Sequence, residues 1–295
     1  MANLKEVRTR ISSVKNTQQI TKAMKMVAAA KLRRAQDAIT RMRPYAKKQN
    51  AMLRNILSNL DGNASSAFSV ERPVNSAAVV VVTSNRGLAG AFNTNIIKAA
   101  VRAINGPLAE AHRAGKLDII CIGKKGYDFF KKRYDRVDGT DVALFNDLTF
   151  ENGGRIAQML MDRFENGQYD AVYVAFSEFK NAATQLAQGV QWLPVQRIEA
   201  EGDDGGLKAD YIFEPNKEEL LDYLIPSILK TTFYRYVLDV NAAEHGARMT
   251  AMDKATENAQ ELLGDLKLAY NKARQEAITN EISEIVGGAA ALEAA

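Results

Sequence analysis

An α+α/β fold is predicted for this chain of 295 residues, with a long antiparallel coiled coil of the N- and C-terminal helices and an α/β domain inserted between them. Heptad seams run through both ends, apolar runs of strand length crowd the middle, and charge is sorted by segment.

Residues 1–61 are read as the N-terminal coiled-coil helix. They contain no glycine and one proline, Pro44, a composition that leaves helix uninterrupted. Asn3 is a candidate N-cap. Heptads counted from Leu4 put Leu4, Ile11, Gln18, Lys25, Leu32, Ile39, Ala46, Leu53 and Leu60 at position a. Position d then holds Val7, Val14, Thr21, Ala28, Ala35, Met42, Gln49 and Ile56. All but Gln18, Thr21, Lys25 and Gln49 are apolar, and a seam sustained in one register this long marks a coiled coil. Pro44 removes a backbone donor and is expected to kink the helix near Met42 and Arg43 without ending it.

Residues 75–198 read as an α/β domain. Strands are expected at Ala77 to Thr83, Leu117 to Ile122, Ala171 to Phe176 and Val190 to Val195, with a weaker one near Val137 to Leu144. Unbroken runs such as Val79-Val80-Val81-Val82 suit strands covered on both faces, hence a mainly parallel sheet. Helices are expected near Phe92 to Arg113, Lys124 to Arg133 and Gly153 to Asn166. Polar loops around Asp61 to Glu71 and Glu199 to Leu207 bound the insertion.

The C-terminal coiled-coil segment covers 209–286, with helix from about Lys217 to Val286, entered through Pro215 and carrying Pro226, Gly246 and Gly264. Its clearest seam is Met252, Ala255, Ala259, Leu262, Leu266, Ala269 and Ala273, whose small side chains permit close approach of a second helix. Gly287-Gly288 is the expected stop. With seams at opposite ends of the chain, antiparallel pairing of the two helices is the economical arrangement.

Residues 1–61 carry a net charge of +11, residues 217–295 a net of −5 and the middle a net of −2. The helices therefore attract each other and leave a positive excess on the first, directed at a partner. The single cysteine, Cys121, lies in the apolar run Ile119 to Ile122, so no internal disulfide forms and a buried, inert thiol in a reducing compartment is expected. No apolar stretch approaches the ~18 to 20 residues that span a bilayer, so no transmembrane segment is expected. The N-terminus enters its amphipathic pattern at once, without a signal core, and the chain reads as a complete cytoplasmic product.

Thr83 to Gly90 follows a buried strand and precedes a helix, where nucleotide-binding proteins hold phosphate. The turn has a Gly-x-x-Gly and lacks both Gly-x-Gly-x-x-Gly and Gly-x4-Gly-Lys-Ser/Thr, which favours a tight strand-to-helix turn over a nucleotide site. Gly123-Lys124-Lys125-Gly126 takes the same reading. His112 and His245 are too far apart for a metal site or a nucleophile pair, and the acidic pairs Glu218-Glu219 and Glu281/Glu284 read as helix surface. The cations Arg33, Arg34, Arg41, Arg43, Lys47 and Lys48 could neutralise phosphates, yet basic DNA-reading helices keep their basic region outside the zipper. A nucleic-acid partner is therefore not expected. Catalytic, cofactor-binding and metal-binding residues are each read as none.

Two terminal stretches carry a family resemblance. Ile11 to Leu32, reading ISSVKNTQQITKAMKMVAAAKL, closely resembles the N-terminal helix of F-type ATP synthase gamma subunits. So does Tyr270 to Ala291, YNKARQEAITNEISEIVGGAAA, at the other end. Thr83 to Asn93 resembles the family's strand-to-helix turn, with Asn85 where an aspartate and Ala89 where a cysteine is often found. The resemblance implies a Rossmann-like α/β domain without bound nucleotide, no cofactor, and a mechanical subunit without chemistry of its own. Its implied place is the cytoplasmic face of a bacterial inner membrane, bound peripherally. The implied partners are the alpha and beta subunits of an alpha3-beta3 ring, the epsilon subunit on the α/β domain, and the c-ring of the membrane sector. By the same resemblance, Met24 and Lys25 meet an acidic loop of the catalytic subunits, Arg248, Gln275, Thr279, Glu281 and Glu284 contact the catalytic ring, and Phe213 and Glu214 rest on the c-ring.

Overall fold

The computed structural model describes residues 4–58, 67–195 and 217–293. Phe213, Glu214, Pro215 and most of the two bounding loops lie outside them, as do the side chains of Leu53, Ile56 and Leu60. The chain divides into two compact units, Met1–Ala28 with Met249–Ala295, and Ala29–Arg248.

Two long helices contribute to both: α1, Leu4–Ser58, and α6, Lys217–Glu293. In the first unit their ends pair antiparallel. Gln18 Nε2 donates to Gln260 Oε1 at 2.5 Å, the Thr21 and Thr256 hydroxyls meet at 2.8 Å, and the Lys25 ammonium pairs with Asp253. Every expected α1 seam position from Leu4 to Gln49 is buried or half-buried, while the residues between them are largely exposed. Gln18, Thr21 and Lys25 are thus matched across the seam, which lowers the cost of desolvating these polar groups.

The α6 seam corrects the expected one. Met252, Ala259 and Leu263 are buried and Ala255, Thr256, Leu266, Tyr270, Ala273 and Ala277 half-buried, whereas Leu262 and Ala269 are exposed. The a-type places match, and the d-type places expected at Leu262 and Ala269 move by one residue to Leu263 and Tyr270. Thr256 holds a seam place through its hydroxyl partner, and the adjacent pair Leu262-Leu263 let an apolar count choose either register. The helix also runs on through Gly287-Gly288 to Glu293. The Ala289 to Leu292 stretch consists of strong helix formers, which offset the ~1 kcal/mol that each glycine costs.

The second unit is built on a five-stranded sheet: β1 Ala77–Val82, β2 Leu117–Ile122, β3 Val137–Asp138, β4 Ala171–Phe179 and β5 Gln185–Leu193. Their order is β3-β2-β1-β4-β5, with the first four parallel and β5 antiparallel to β4. All six residues of β1 are buried, which explains its central place. Each buried valine contributes about 1.5–3 kcal/mol that an edge strand would forfeit. The helices are α2 Phe92–Asn105, α3 Ala109–Arg113, α4 Lys124–Phe130 and α5 Phe150–Glu165. A single helix was expected from Phe92 to Arg113; Gly106 and Pro107 divide it, because glycine weakens a helix and proline removes a donor.

Helix α5 begins three residues ahead of Gly153, because the Thr149 hydroxyl accepts from Asn152 N–H at 3.2 Å and caps it. Gly153 is fitted to Tyr234, whose ring carbon lies 2.8 Å from where a Cβ would stand. Strand β5 starts at Gln185, ahead of the expected Val190, since its polar first half pairs with β4 as a hairpin. Of the expected strand near Val137, two residues pair; the rest turns into a 3-10 helix at Leu144–Asn146. On α6, Leu229, Phe233, Val237 and Val240 join the sheet's core, with the Phe233 ring 5.4 Å from Trp192 and Tyr236 stacked 4.2 Å from Phe176.

Candidate functional site

The turn after β1 lies where the strand order reverses, at the carboxyl edge between β1 and β4, the usual ligand crevice of such sheets. Several backbone donors here and in the Gly123–Gly126 turn beside it are engaged within the chain. Ser84 N–H donates to Asn93 Oδ1 at 2.9 Å, Gly126 N–H to Thr83 Oγ1 at 2.8 Å, and Lys124 N–H to Asn85 Oδ1 at 3.0 Å. Lys125 N–H donates to the Ser84 carbonyl at 3.1 Å. The carbonyls of Arg86 and Gly87 take hydrogen bonds from Arg248 Nη2 at 3.3 and 3.2 Å. Gly123 completes the packing between the two turns with φ 95°, and a Cβ there would fall 1.9 Å from the Thr83 carbonyl oxygen.

Chemical groups elsewhere in this unit are equally committed to structure. Burial, and after it the Asp138 charge, pushes the Cys121 thiol up to about 12, well away from reactive thiolate. His112 packs against Tyr134 with ring centroids 5.4 Å apart. Burial, then Arg248 and Lys31, pushes His245 down to about 4. Among the described residues no three His, Cys, Asp or Glu side chains are grouped to hold a metal ion, and no helix is long and apolar enough to cross a membrane.

The helix pair of the first unit offers surface. Met24 and Lys25 are half-buried, the latter paired to Asp253, while Ile20, Met26 and Val27 beside them are exposed. Gln275, Thr279, Glu281 and Glu284 are all exposed, with the Thr279 hydroxyl donating back to the Gln275 carbonyl at 2.9 Å. Arg248, in the other unit, is turned inward: its side chain is 12% exposed and Nη1 donates to Glu244 Oε1 at 2.6 Å.

The pairs at 18/260, 21/256 and 25/253 advance in step, so at ~1.5 Å per residue along both helices Leu4 falls opposite about residue 274. Helix α6 continues well beyond that level. There Ile278, Ile282 and Ile285 recur at one face, 48%, 56% and 71% exposed, with Val286 beside them. Sequence analysis missed this stripe. Its signal was apolar periodicity persisting past the point where the antiparallel partner ends.

The chain matches the protein family described as ATP synthase over residues 3–292. It is 52% identical over 294 residues to the ATP synthase gamma chain of Cytophaga hutchinsonii, covering 99% of both chains. It is 53% identical over 293 residues to that of Flavobacterium psychrophilum, covering 99% of this chain and 100% of the relative. Its fold is similar to that of a chain in the cryo-EM structure of Euglena gracilis mitochondrial ATP synthase, with a TM-score of 0.67 at 24% identity, over 99% of this chain and 95% of the other. Two terminal helices paired antiparallel around polar matches and full-length identity above one half to gamma chains lead to one conclusion: the chain belongs to the ATP synthase gamma chain family.

Proposed function

We propose that this chain is the central rotor subunit of a proton-translocating F1Fo ATP synthase. It couples rotation of the membrane c-ring to successive conformational changes, and so to ATP synthesis or hydrolysis, in an alpha3-beta3 ring. It makes and breaks no bond itself. The observation that carries this reading is the end of α6, where isoleucines 278, 282 and 285 are exposed and, among the described residues, the helix has outrun its partner. Exposed apolar stripes of this kind belong inside an assembly.

The mechanism follows from asymmetry. One pair of helices cannot present the same face to three catalytic neighbours, so each neighbour is held in a different conformation and nucleotide affinity. Turning the pair passes those states around the ring as a population shift driven by differential contact. In this reading Gln275, Thr279, Glu281 and Glu284 flank the apolar stripe and meet the ring, and Met24 and Lys25 meet it from α1, with the exposed cations of α1 facing acidic surface. Arg248 on α6 serves the same interface through the β1–α2 turn it bonds to, Phe213 and Glu214 rest on the c-ring, and the epsilon subunit binds the α/β domain. The assembly sits on the cytoplasmic face of a bacterial inner membrane, which this chain joins peripherally.

An affinity tag on the chain tests the proposal. Purification from its own cells should recover the two kinds of ring subunit with it, and the recovered complex should hydrolyse ATP while the chain alone does not. Recovery of the chain by itself, or with nucleic acid that salt removes, would overturn the reading.

A further inference from the structure

Leu88 holds a left-handed backbone conformation, φ 62°, unusual for a residue with a side chain. Its side chain is nevertheless 66% exposed, so no packing around it imposes that conformation. The restraint comes from the backbone just ahead. Arg248 Nη2 donates to the carbonyls of Arg86 and Gly87, the two residues preceding Leu88. Glu244, one helical turn earlier on α6, accepts from Nη1 and sets the angle of the guanidinium fork. Both side chains are close to fully covered, 12% and 10% exposed, so the contact is shielded from water. On the far side of the turn, Asn93 fixes Ser84 through its backbone N–H and its hydroxyl. The turn is thereby gripped at both ends, with Arg86 and Leu88 exposed between.

We propose that Arg248 is a positioning residue, a latch from α6 that holds the Arg86–Leu88 turn rigid so that a cation and an apolar side chain are displayed together to a docking partner. The identity of that partner, a catalytic subunit, rests on the rotor reading; the latch itself is a property of this chain alone. Such a display suits a surface offering carboxylates beside an apolar socket. A planar guanidinium is required, because one ammonium cannot hold two adjacent carbonyls and a carboxylate in a fixed fork.

Limited trypsin digestion of the purified full-length chain tests the latch directly, since the bond after Arg86 carries one of the gripped carbonyls. Arg248→Ala should speed cleavage at Arg86–Gly87 about tenfold or more relative to other sites in the same chain, and Arg248→Lys should fall between. If Arg248→Ala unfolds and all bonds are cut faster together, Arg248→Lys decides: a raised ratio at Arg86 supports the latch, and an unchanged ratio overturns it. In the tagged complex, Arg248→Lys should lower ATP-driven proton pumping more than ATP hydrolysis. A raised cleavage ratio in a chain that recovers no ring subunits would leave the latch standing and sink the rotor reading. An unchanged ratio in a chain that does recover them would do the reverse.

Discussion

His245 shows what a buried titratable group does when it performs no chemistry. Its Nδ1 finds no hydrogen-bond partner among the described residues, and burial, then the charges of Arg248 on α6 and Lys31 on α1, hold its pKa down at about 4 instead of 6.5. The unfolded chain therefore takes up a proton near its ordinary value and the native one only near 4, so the unfolded state binds more protons in between. Stability is fully present above about 6.5 and is lost as pH falls towards 4. Replacing the imidazole with a non-titrating side chain, His245→Asn, should flatten that part of the profile. Thermal midpoints of both proteins across the window check this, and parallel profiles would show that His245 contributes nothing to the acid sensitivity.

At the scale of elements, what was legible in the sequence depended on how many independent signals agreed. The α1 seam from Leu4 to Gln49 was readable to the residue because a stretch without glycine keeps one register, and its four polar members have polar partners: Gln260, Thr256 and Asp253 in the first unit, and Ser227, which accepts from Gln49 Nε2 at 2.8 Å, in the second. The d-type places of α6 were not readable, since Leu262 and Leu263 offer equal apolar weight and only the opposing helix chooses between them. At the turn around Gly87 the grip of Arg248 joins residues 162 and 161 apart in sequence and left no local pattern. The end of α6 was misjudged because two glycines were given more weight than the helix formers after them. That yields a prediction: a Cβ at Gly287 or Gly288 meets nothing within 4 Å, so Gly287→Ala and Gly288→Ala should each add about 1 kcal/mol of local helix stability. Amide exchange in the last turns should slow about fivefold per substitution, with the global midpoint unmoved because residues 281–289 are exposed. Unchanged exchange would mean that the last turns open together with something other than their own helix.

Across the molecule as a whole, the two effects that recruit partners are carried by different residues and answer to different conditions. Positive charge is concentrated in residues 1–61, net +11, and most of it is solvent-facing on α1. Long-range attraction of this kind raises the rate of encounter with an acidic surface and is screened over about 10 Å at 0.1 M salt. The isoleucine stripe at 278, 282 and 285 has no charge to screen; burying it resists dissociation, and salt that strengthens apolar burial strengthens it. Binding of the chain to a ring purified without it should therefore slow by about tenfold or more as ionic strength rises from 0.02 to 0.3 M, while dissociation changes little. Ile282→Asp should do the opposite, leaving the salt dependence of association intact and speeding release, because a carboxylate cannot be buried unpaired. Stopped-flow association and dissociation of a fluorescently labelled chain separate the two. An association rate indifferent to salt would remove the basic face of α1 from the docking surface, and unchanged release by Ile282→Asp would remove the end of α6.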